Sequence, residues 1–408
     1  MPMTNMQNRD KKIPLSNRMQ SILAMLQQEK LSHGKIPCVA DIGCDHAFVS
    51  MACVRDGLAE RVIAMDVRKG PLSIAQTHIQ EYGFAKSVET RLSNGFEAMK
   101  PGEATRAVLA GMGGELMKTI LQNGKAHLDA SDMDYVFAGD LLGQSMATTF
   151  GMENFRIPWF GVYGACSTCG ESLSLAAAFV AAGYARHAVA VTSSHFGSAE
   201  KQFRFPNQYA NQRPVSATWT VTGSAAFIVG SGAGGNEIQA GCDNADSISK
   251  KVQIEGITTG VVVDYGIKDA MNMGAAMAPA ACELIVNHLS DFGRKASYYD
   301  RIVTGDLGSV GQKILIDLCR QKGVDISKNH EDCGMKMFDA TNQNTGSGGS
   351  GCACSATVLS AYYLPKLRSG ELKRILFVPT GALLSPVSFN EGESVPGIAH
   401  GVVLEAAI

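Results

Sequence analysis

The stretch Gly164-Ala165-Cys166-Ser167-Thr168-Cys169-Gly170 decides how the larger part of this chain folds. A strand-like segment at residues 157–163 precedes it and an apolar run at residues 173–182 follows it, which predicts a strand, a tight turn and a buried helix. Cys166 would then lie at the N-terminal end of that helix, where the dipole and free backbone N–H groups lower a thiol pKa. The same N–H groups could hold a carboxylate. A third interpretation is a small buried cysteine that packs the helix against a sheet.

The composition describes a large, well-packed protein. The 408 residues are 45% hydrophobic and 18% charged, with 44 glycines, which indicates a sizeable core with many tight turns. The net charge of −2 provides no overall field that favours nucleic acid or an anionic membrane. We find no apolar run of the ~18 residues that a membrane span needs. Eleven scattered cysteines and a polar start without a signal peptide predict a cytoplasmic, reducing location without a disulfide framework.

Four buried segments in the first part predict parallel strands at residues 36–43, 62–66, 88–92 and 107–110, with helices between them. In such a doubly wound sheet, ligands bind at the carboxyl ends of the strands. An acid there can accept both ribose hydroxyls and an amide can contact an adenine edge, although each acid or glycine alone is compatible with a simple turn. The candidate cofactor-binding residues at these strand ends are Asp41, Gly43, Asp45, Asp66, Asn94, Gly95, Gly111 and Gly113.

Short motifs in this first part resemble the bacterial tRNA adenine-N1 methyltransferases. The motifs are Leu15-Ser16-Asn17-Arg18, Ala40-Asp41-Ile42-Gly43-Cys44-Asp45-His46-Ala47, Lys69-Gly70-Pro71-Leu72, Arg91-Leu92-Ser93-Asn94-Gly95 and Ala110-Gly111-Met112-Gly113-Gly114. The resemblance covers residues of about 12 to 128. It implies a truncated Rossmann-like domain that binds S-adenosylmethionine across Asp41, Gly43, Asp66 and Asn94. It also implies methyl transfer to a tRNA adenine, with tRNA as a partner. The net charge of −2 and the lack of a basic tail do not favour tRNA binding.

The rest of the chain repeats itself loosely at a spacing of about 170 residues. Residues 135–141 resemble 301–307. Residues 164–167 resemble 352–355, and both of these segments precede a predicted apolar helix. Residues 187–192 resemble 374–380, and residues 223–230 resemble 397–405. A repeat of this length indicates two βα halves packed against each other through buried helices rather than a solenoid.

These features together resemble the thiolase-like superfamily and, within it, the stage V sporulation protein AD family. The match rests on phrases such as Ala138-Gly139-Asp140-Leu141-Leu142, Gln202-Phe203-Arg204-Phe205-Pro206, Gly348-Gly349-Ser350-Gly351-Cys352-Ala353-Cys354-Ser355 and Ile398-Ala399-His400-Gly401. The family implies a protein that binds pyridine-2,6-dicarboxylate (dipicolinic acid) for uptake into the developing spore, without a cofactor. It also implies other stage V sporulation proteins as partners, a peripheral position at the spore inner membrane, and pairing into a homodimer.

Three kinds of chemistry remain open for this second part. The resemblance puts Cys166 at the thiolase nucleophile position, but the loops that should supply a base and an oxyanion partner contain no His or Asn, so we favour binding without catalysis. A flat dianion needs backbone N–H groups and cations. The candidate ligand-binding residues are Ala165, Cys166, Ser167, His195, Arg204, Gly349, Gly351 and His400. A remote alternative is a four-thiolate metal site formed by Cys166, Cys169, Cys352 and Cys354; we predict no metal.

We therefore expect an α/β protein with a truncated methyltransferase-like segment at residues 1–130 and an incomplete, layered αβαβα thiolase-like domain at residues 131–408. The second half of the repeat has a first strand at residues 253–263 and a helix at 276–289, and the first half has no counterpart of either. We expect the missing strand to be a central one. The chain is interpreted as a fusion of two truncated proteins, either made as such by the cell or a chimera of two genes.

Overall fold

A computed structural model describes residues 13–16, 19–20, 22–24, 26–27, 30, 34–110, 112, 116, 119–120, 123–124, 133–203, 213–231, 251–339 and 341–407. The described residues up to 124 belong to one compact unit, and those from 133 onward belong to a second. Three predicted site residues, Gly111, Gly113 and Arg204, lie outside the described residues.

The first unit contains a parallel four-stranded sheet. Its elements are β1 (Ile36–Ile42), α1 (Phe48–Arg55), β2 (Ala59–Asp66), α2 (Lys69–Glu81), β3 (Val88–Leu92) and β4 (Arg106–Leu109). The strand order is β3-β2-β1-β4, and every pair is parallel. Alternate residues of β1 and β2 enter two separate core clusters, because both faces of a parallel sheet are covered. The predicted doubly wound sheet is confirmed, with β4 at its edge.

The first half of the second unit forms a smaller mixed sheet. Its elements are β5 (Tyr135–Asp140), α3 (Met146–Met152), β6 (Trp159–Gly161), α4 (Thr168–Ala181), β7 (His187–Ser194), α5 (Phe196–Phe203), β8 (Trp219–Thr220) and β9 (Gly223–Gly230). The strand order is β6-β5-β7-β9, with β9 antiparallel to β7. The strand before Cys166 is shorter than predicted, because only Trp159–Gly161 pairs with β5.

The second half repeats this plan and adds two strands to its sheet. Its elements are β10 (Val252–Thr259), α6 (Met273–Asp291), β11 (Arg301–Thr304), α7 (Gly308–Gln321), β12 (His330–Asp332), α8 (Cys333–Met337), β13 (Gly349–Ser350), α9 (Cys352–Val358), α10 (Leu364–Arg368), β14 (Arg374–Val378), β15 (Thr380–Ala382), α11 (Pro386–Asn390) and β16 (Gly397–Ala406). The order is β10-β16-β14-β11-β12, β15 also pairs with β16, and β13 pairs with β8.

The predicted repeat is visible in the strand registers. Val136 of β5 pairs with Val189, which pairs with Ile228. In the same way Ile302 of β11 pairs with Leu376, which pairs with Val403. The expectation that the extra strand is central is wrong, because β10 lies at the edge of its sheet and pairs with β16 along one side.

The core of the second unit lies between its two sheets. One hydrophobic cluster contains residues of both sheets together with Leu173 and Ala176 of α4 and Cys354 and Ala356 of α9. A second cluster joins α6 and α7 to the other face of the second sheet. Helix α4 packs closely on β16 because its residues are small: a Cβ on Gly170 would meet the backbone oxygen of His400 at 3.0 Å. This layering of sheets and helices agrees with the expected α/β class.

Candidate functional site

In the first unit, a cavity of about 780 Å³ opens at the carboxyl ends of the strands. Six of the eight predicted cofactor-binding residues line it, because each lies at the end of β1, β2 or β3 or within three residues after it. They are Asp41, Gly43, Asp45, Asp66, Asn94 and Gly95. Their convergence matches the sequence-based expectation, while the ligand contacts of each residue stay a prediction.

The two acids at the ends of β1 and β2 have different surroundings. Asp41 is buried and accepts a 2.5 Å hydrogen bond from the Ser50 hydroxyl. Burial raises the pKa of Asp41 to about 6, and the Ser50 hydrogen bond opposes this shift. The carboxylate of Asp66 accepts the backbone N–H of Arg68 at 2.8 Å, which orients it at the cavity rim. The Asp41 carboxylate is therefore protonated as the pH falls through about 6.

Sequence reasoning missed Arg68, which also lines this cavity. Its Nε lies 3.5 Å from Asp66 Oδ1 and its Nη2 lies 4.0 Å from Asp45 Oδ1, so it faces two of the predicted acids. Its position two residues after the strand-end acid is the signal that could have identified it. The Asn94 side chain is positioned from the other side, where its Nδ2 donates to Glu97 Oε1 at 2.9 Å.

In the second unit, Cys166 lies in a 3-10 turn, Ala165–Ser167, immediately before α4. Its thiol is buried and lies beside the carboxyl group of Asp306, which follows β11 in the other half of the repeat. Asp306 accepts the Gly351 N–H at 3.0 Å and the Thr380 hydroxyl at 3.2 Å. The contact between Cys166 and Asp306 therefore joins the first half of the repeat to the second.

The expectation that the helix start lowers the pKa of Cys166 is wrong. Burial raises the pKa of this thiol well above its ordinary value, and the neighbouring Asp306 carboxyl raises it further. Burial likewise raises the pKa of Asp306 to about 7. A neutral thiol is a poor nucleophile, because the thiolate is the reactive form. This arrangement gives little support to the alternative of acyl transfer.

Sequence reasoning gave Asp306 no role, although its motif was recognised as part of the repeat. The equivalent residue of the first half is Asp140, whose carboxylate is bonded within its own half to the backbone N–H groups of Leu142 and Thr148. Asp306 instead reaches across to the other half. The repetition of Gly-Asp-Leu at residues 139–141 and 305–307 is the signal that could have identified it.

The predicted ligand-binding residues are only partly brought together. Gly351 lies beside Cys166, and its backbone N–H donates a hydrogen bond to Asp306. The Ser167 N–H donates to the Gly164 backbone oxygen at 3.0 Å, so both N–H groups already have acceptors within the protein. Gly349 pairs with Trp219 of β8, whereas His400 lies in β16 and burial lowers its pKa. His195 is exposed at the end of β7.

The four-thiolate alternative is not supported by these contacts. The Cys352 thiol donates to the Ser193 oxygen at 2.9 Å, and the Cys354 thiol donates to the Gly305 oxygen at 3.7 Å. Among the residues that the structure describes, no three His, Cys, Asp or Glu side chains are arranged to hold a metal ion. Within the described ranges, each helix is too short or insufficiently apolar to span a bilayer.

Comparisons with known proteins define the class of each part. Residues 108–405 match the profile of the stage V sporulation protein AD family, and residues 15–155 match that of a methyltransferase domain. Stage V sporulation protein AD of Bacillus subtilis is 42% identical over 283 residues, which cover 69% of this chain and 79% of that protein. The chain therefore belongs to the stage V sporulation protein AD family, as the sequence motifs predicted.

The methyltransferase relatives match over a shorter length. The tRNA (adenine(22)-N(1))-methyltransferase of B. subtilis is 32% identical over 120 residues, which cover 29% of this chain and 48% of that protein. The crystal structure of the B. subtilis M1A22 tRNA methyltransferase TrmK is 33% identical, covers 28% of this chain and 47% of that chain, and gives a TM-score of 0.26. The chain thus spans about half the length of these methyltransferases. The predicted likeness of the N-terminal part is confirmed.

Proposed function

We propose that the second unit is a sporulation protein that binds pyridine-2,6-dicarboxylate without transforming it. Membership of the stage V sporulation protein AD family supports a role in sporulation. The single observation that carries the noncatalytic part is the contact between the Cys166 thiol and Asp306. Burial and the carboxyl group both favour the protonated thiol, which is a poor nucleophile, and this supports binding without catalysis.

Calorimetric titration of the intact chain with pyridine-2,6-dicarboxylate tests this proposal. We expect saturable binding, and weaker binding of pyridine-2-carboxylate, which lacks one carboxylate. Arg204→Gln should weaken binding, because a guanidinium holds a carboxylate with two hydrogen bonds. Arg320→Gln is the matched control, since Arg320 pairs with Asp317 on the surface. No heat at millimolar ligand, or an acyl group found on Cys166 after incubation with an acyl thioester, would contradict the proposal.

A second candidate function is S-adenosylmethionine binding by the first unit, with methyl transfer as its activity. It is favoured by the cavity at the strand ends, where Asp41, Asp66 and Asn94 converge. An acid at the end of β2 can accept ribose hydroxyls, and glycine at position 43 has a φ of 77°, which lets the backbone come close to a ligand.

Titration with S-adenosylmethionine tests this second candidate. Asp66→Ala should abolish binding, whereas Glu60→Ala should leave it unchanged, because Glu60 lies on the same strand but is exposed and outside the cavity. Equal effects of the two substitutions would contradict the assignment of the cavity. Transfer of a labelled methyl group to tRNA then separates cofactor binding from the complete activity of the longer relatives.

We also infer that the chain joins two incomplete proteins in one polypeptide. The two family matches overlap at residues 108–155, and the methyltransferase relatives are covered over about half their length. Mass spectrometry of sporulating cells tests this through the tryptic peptide of residues 126–156, which crosses the junction. Detection of this peptide supports a fusion made by the cell. Detection of peptides from two separate full-length proteins alone would overturn it.

A further inference from the structure

The two halves of the second unit differ in how their outer sheet faces are covered. Ile228 of β9 pairs with Val189, and Val403 of β16 pairs with Leu376. Since these two pairs hold the same place in the two halves of the repeat, Ile228 and Val403 occupy equivalent positions. Val403 is fully buried, whereas Ile228 is 61% exposed. Leu376 is also fully buried, but Val189 is half-buried. The same apolar surface is thus covered in one half and open in the other.

The second half shows what covers such a face. Helix α6 packs on it, since Met277, Leu284 and Ile285 share a core cluster with Leu376 and Val403. Strand β10 extends the same sheet by pairing antiparallel with β16 along its outer edge. In the first half, β9 ends the strand order within the described residues. Its outer edge therefore presents backbone N–H and C=O groups beside an open apolar face.

We propose that the surface formed by Val189, Val191, Ala226 and Ile228, with the free edge of β9, is a docking site for the leading strand–helix segment of a complete stage V sporulation protein AD. Because β10 and α6 precede β11 in the chain, the equivalent pair would precede β5. The match covers 79% of the B. subtilis relative, so part of that protein lies outside the match. The occupant adds a strand antiparallel to β9 and lays a helix of small apolar residues on the face, as in the alanine-rich α6.

The chemistry of the surface fits this occupant. The alternate residues of β9 point to the opposite face of the sheet and pack against the core between the two sheets; they are Ala225, Phe227 and Val229. Burial of the exposed apolar side chains on this surface would stabilise the complex, and hydrogen bonds to the edge of β9 would fix the register of the added strand. A face without charged side chains at these four positions discriminates against polar partners.

Binding of a synthetic segment to the intact chain tests the proposal. The probe is the fluorescently labelled part of B. subtilis stage V sporulation protein AD that precedes its match to this chain, and anisotropy reports its binding. We expect saturable binding that Ile228→Lys and Ala226→Lys each weaken by about tenfold or more, because a lysine there cannot be buried. Both positions are exposed, so the variants should fold. Val387→Lys, at a position 65% exposed on α11, is the matched control and should bind within about twofold of the unchanged chain.

Three results would overturn the proposal. The first is an absence of saturable binding to the intact, folded chain, and the second is an equal loss of binding in Ile228→Lys and Val387→Lys. The third is self-association of the chain in the absence of the probe, if Ile228→Lys removes it in analytical ultracentrifugation, because a second copy of the chain would then occupy the face.

Discussion

Asp306 Oδ2 accepts the backbone N–H of Gly351 at 3.0 Å, and this hydrogen bond joins the loop after β11 to the start of α9. The same carboxyl group contacts the Cys166 thiol and the Thr380 hydroxyl. An acid that accepts two hydrogen bonds in the interior has a structural role, although the burial of its charge is costly. We therefore expect the stability of the junction between the repeat halves to depend on pH.

We expect Asp306→Asn to change how stability depends on pH. The folded-state pKa of Asp306 is raised from 3.8 to about 7, so between these values the folded protein holds a proton that the unfolded chain releases. This group stabilises the fold most at low pH, and its contribution is lost as the pH rises from about 4 to about 7. The free energy of unfolding of the unchanged chain, relative to Asp306→Asn, should fall across this window.

Urea unfolding at several pH values measures this difference. Comparison of the two proteins is needed because the pKa values of His288 and His330 are lowered by burial to about 4, which makes stability rise with pH between about 4 and 6.5. Both proteins share that contribution. Parallel profiles for the two proteins would show that Asp306 is not the titrating group.

Gly381→Ala should loosen the turn that carries Cys166. A Cβ on Gly381 would lie 2.1 Å from the backbone oxygen of Gly164, so one of the two backbones must move. We expect a loss of about 3 kcal/mol in the free energy of unfolding. Gly151→Ala is the control, since a Cβ there meets nothing within 4 Å in helix α3, and should stabilise by about 1 kcal/mol or less. Similar unfolding curves for both variants would contradict the close approach.

Replacement of Arg213 should destabilise the protein, because Arg213 pairs with the buried carboxylate of Glu200. Arg213 forms an ion pair with buried Glu200 and stacks over the Trp219 ring at 4.1 Å. Arg213→Met should cost about 2 kcal/mol, because it removes the cation from a buried carboxylate that keeps the hydrogen bond from the Thr220 hydroxyl. Thermal unfolding measures the effect, with the exposed pair of Arg320 and Asp317 as reference.

Arg320→Met is expected to change stability by about 0.5 kcal/mol or less. Adding Glu200→Gln to Arg213→Met should recover part of the loss, since a neutral amide no longer needs the cation. No recovery in the double variant would show that the loss came from the ring contact rather than from the charge.

Binding of S-adenosylmethionine should weaken as the pH falls through about 6. Burial raises the pKa of Asp41 to this value, so the cavity loses a negative charge below it, while the sulfonium of the cofactor stays positive. Asp41→Asn should bind weakly at every pH. S-adenosylhomocysteine, which lacks the sulfonium charge, is the control and should show a smaller dependence. An equal pH dependence for the two ligands would assign the titration to another group.

Much of the first unit could be predicted because its signals are local. A buried strand, a strand-end acid and a following helix are adjacent in the chain, so residues such as Asp41 and Asp66 could be assigned to one edge of the sheet before the cavity was seen. Arg68 was missed because a charged residue in a loop is usually solvated, and only its position two residues after the strand-end acid pointed to the cavity. The edge position of β10 was also missed, because strand order depends on long-range pairing.

Hydrophobic periodicity and short motifs were enough to predict the α/β class, the two family resemblances, the repeat and the approximate bounds of the strands, because they are properties of neighbouring residues. The environment of Cys166 depends on the fold. A helix start predicts a lowered thiol pKa, but burial and the carboxyl group of Asp306, 140 positions further along the chain, raise it. Electrostatics in a protein interior depends on what the fold brings together, and the chain order does not contain that distance.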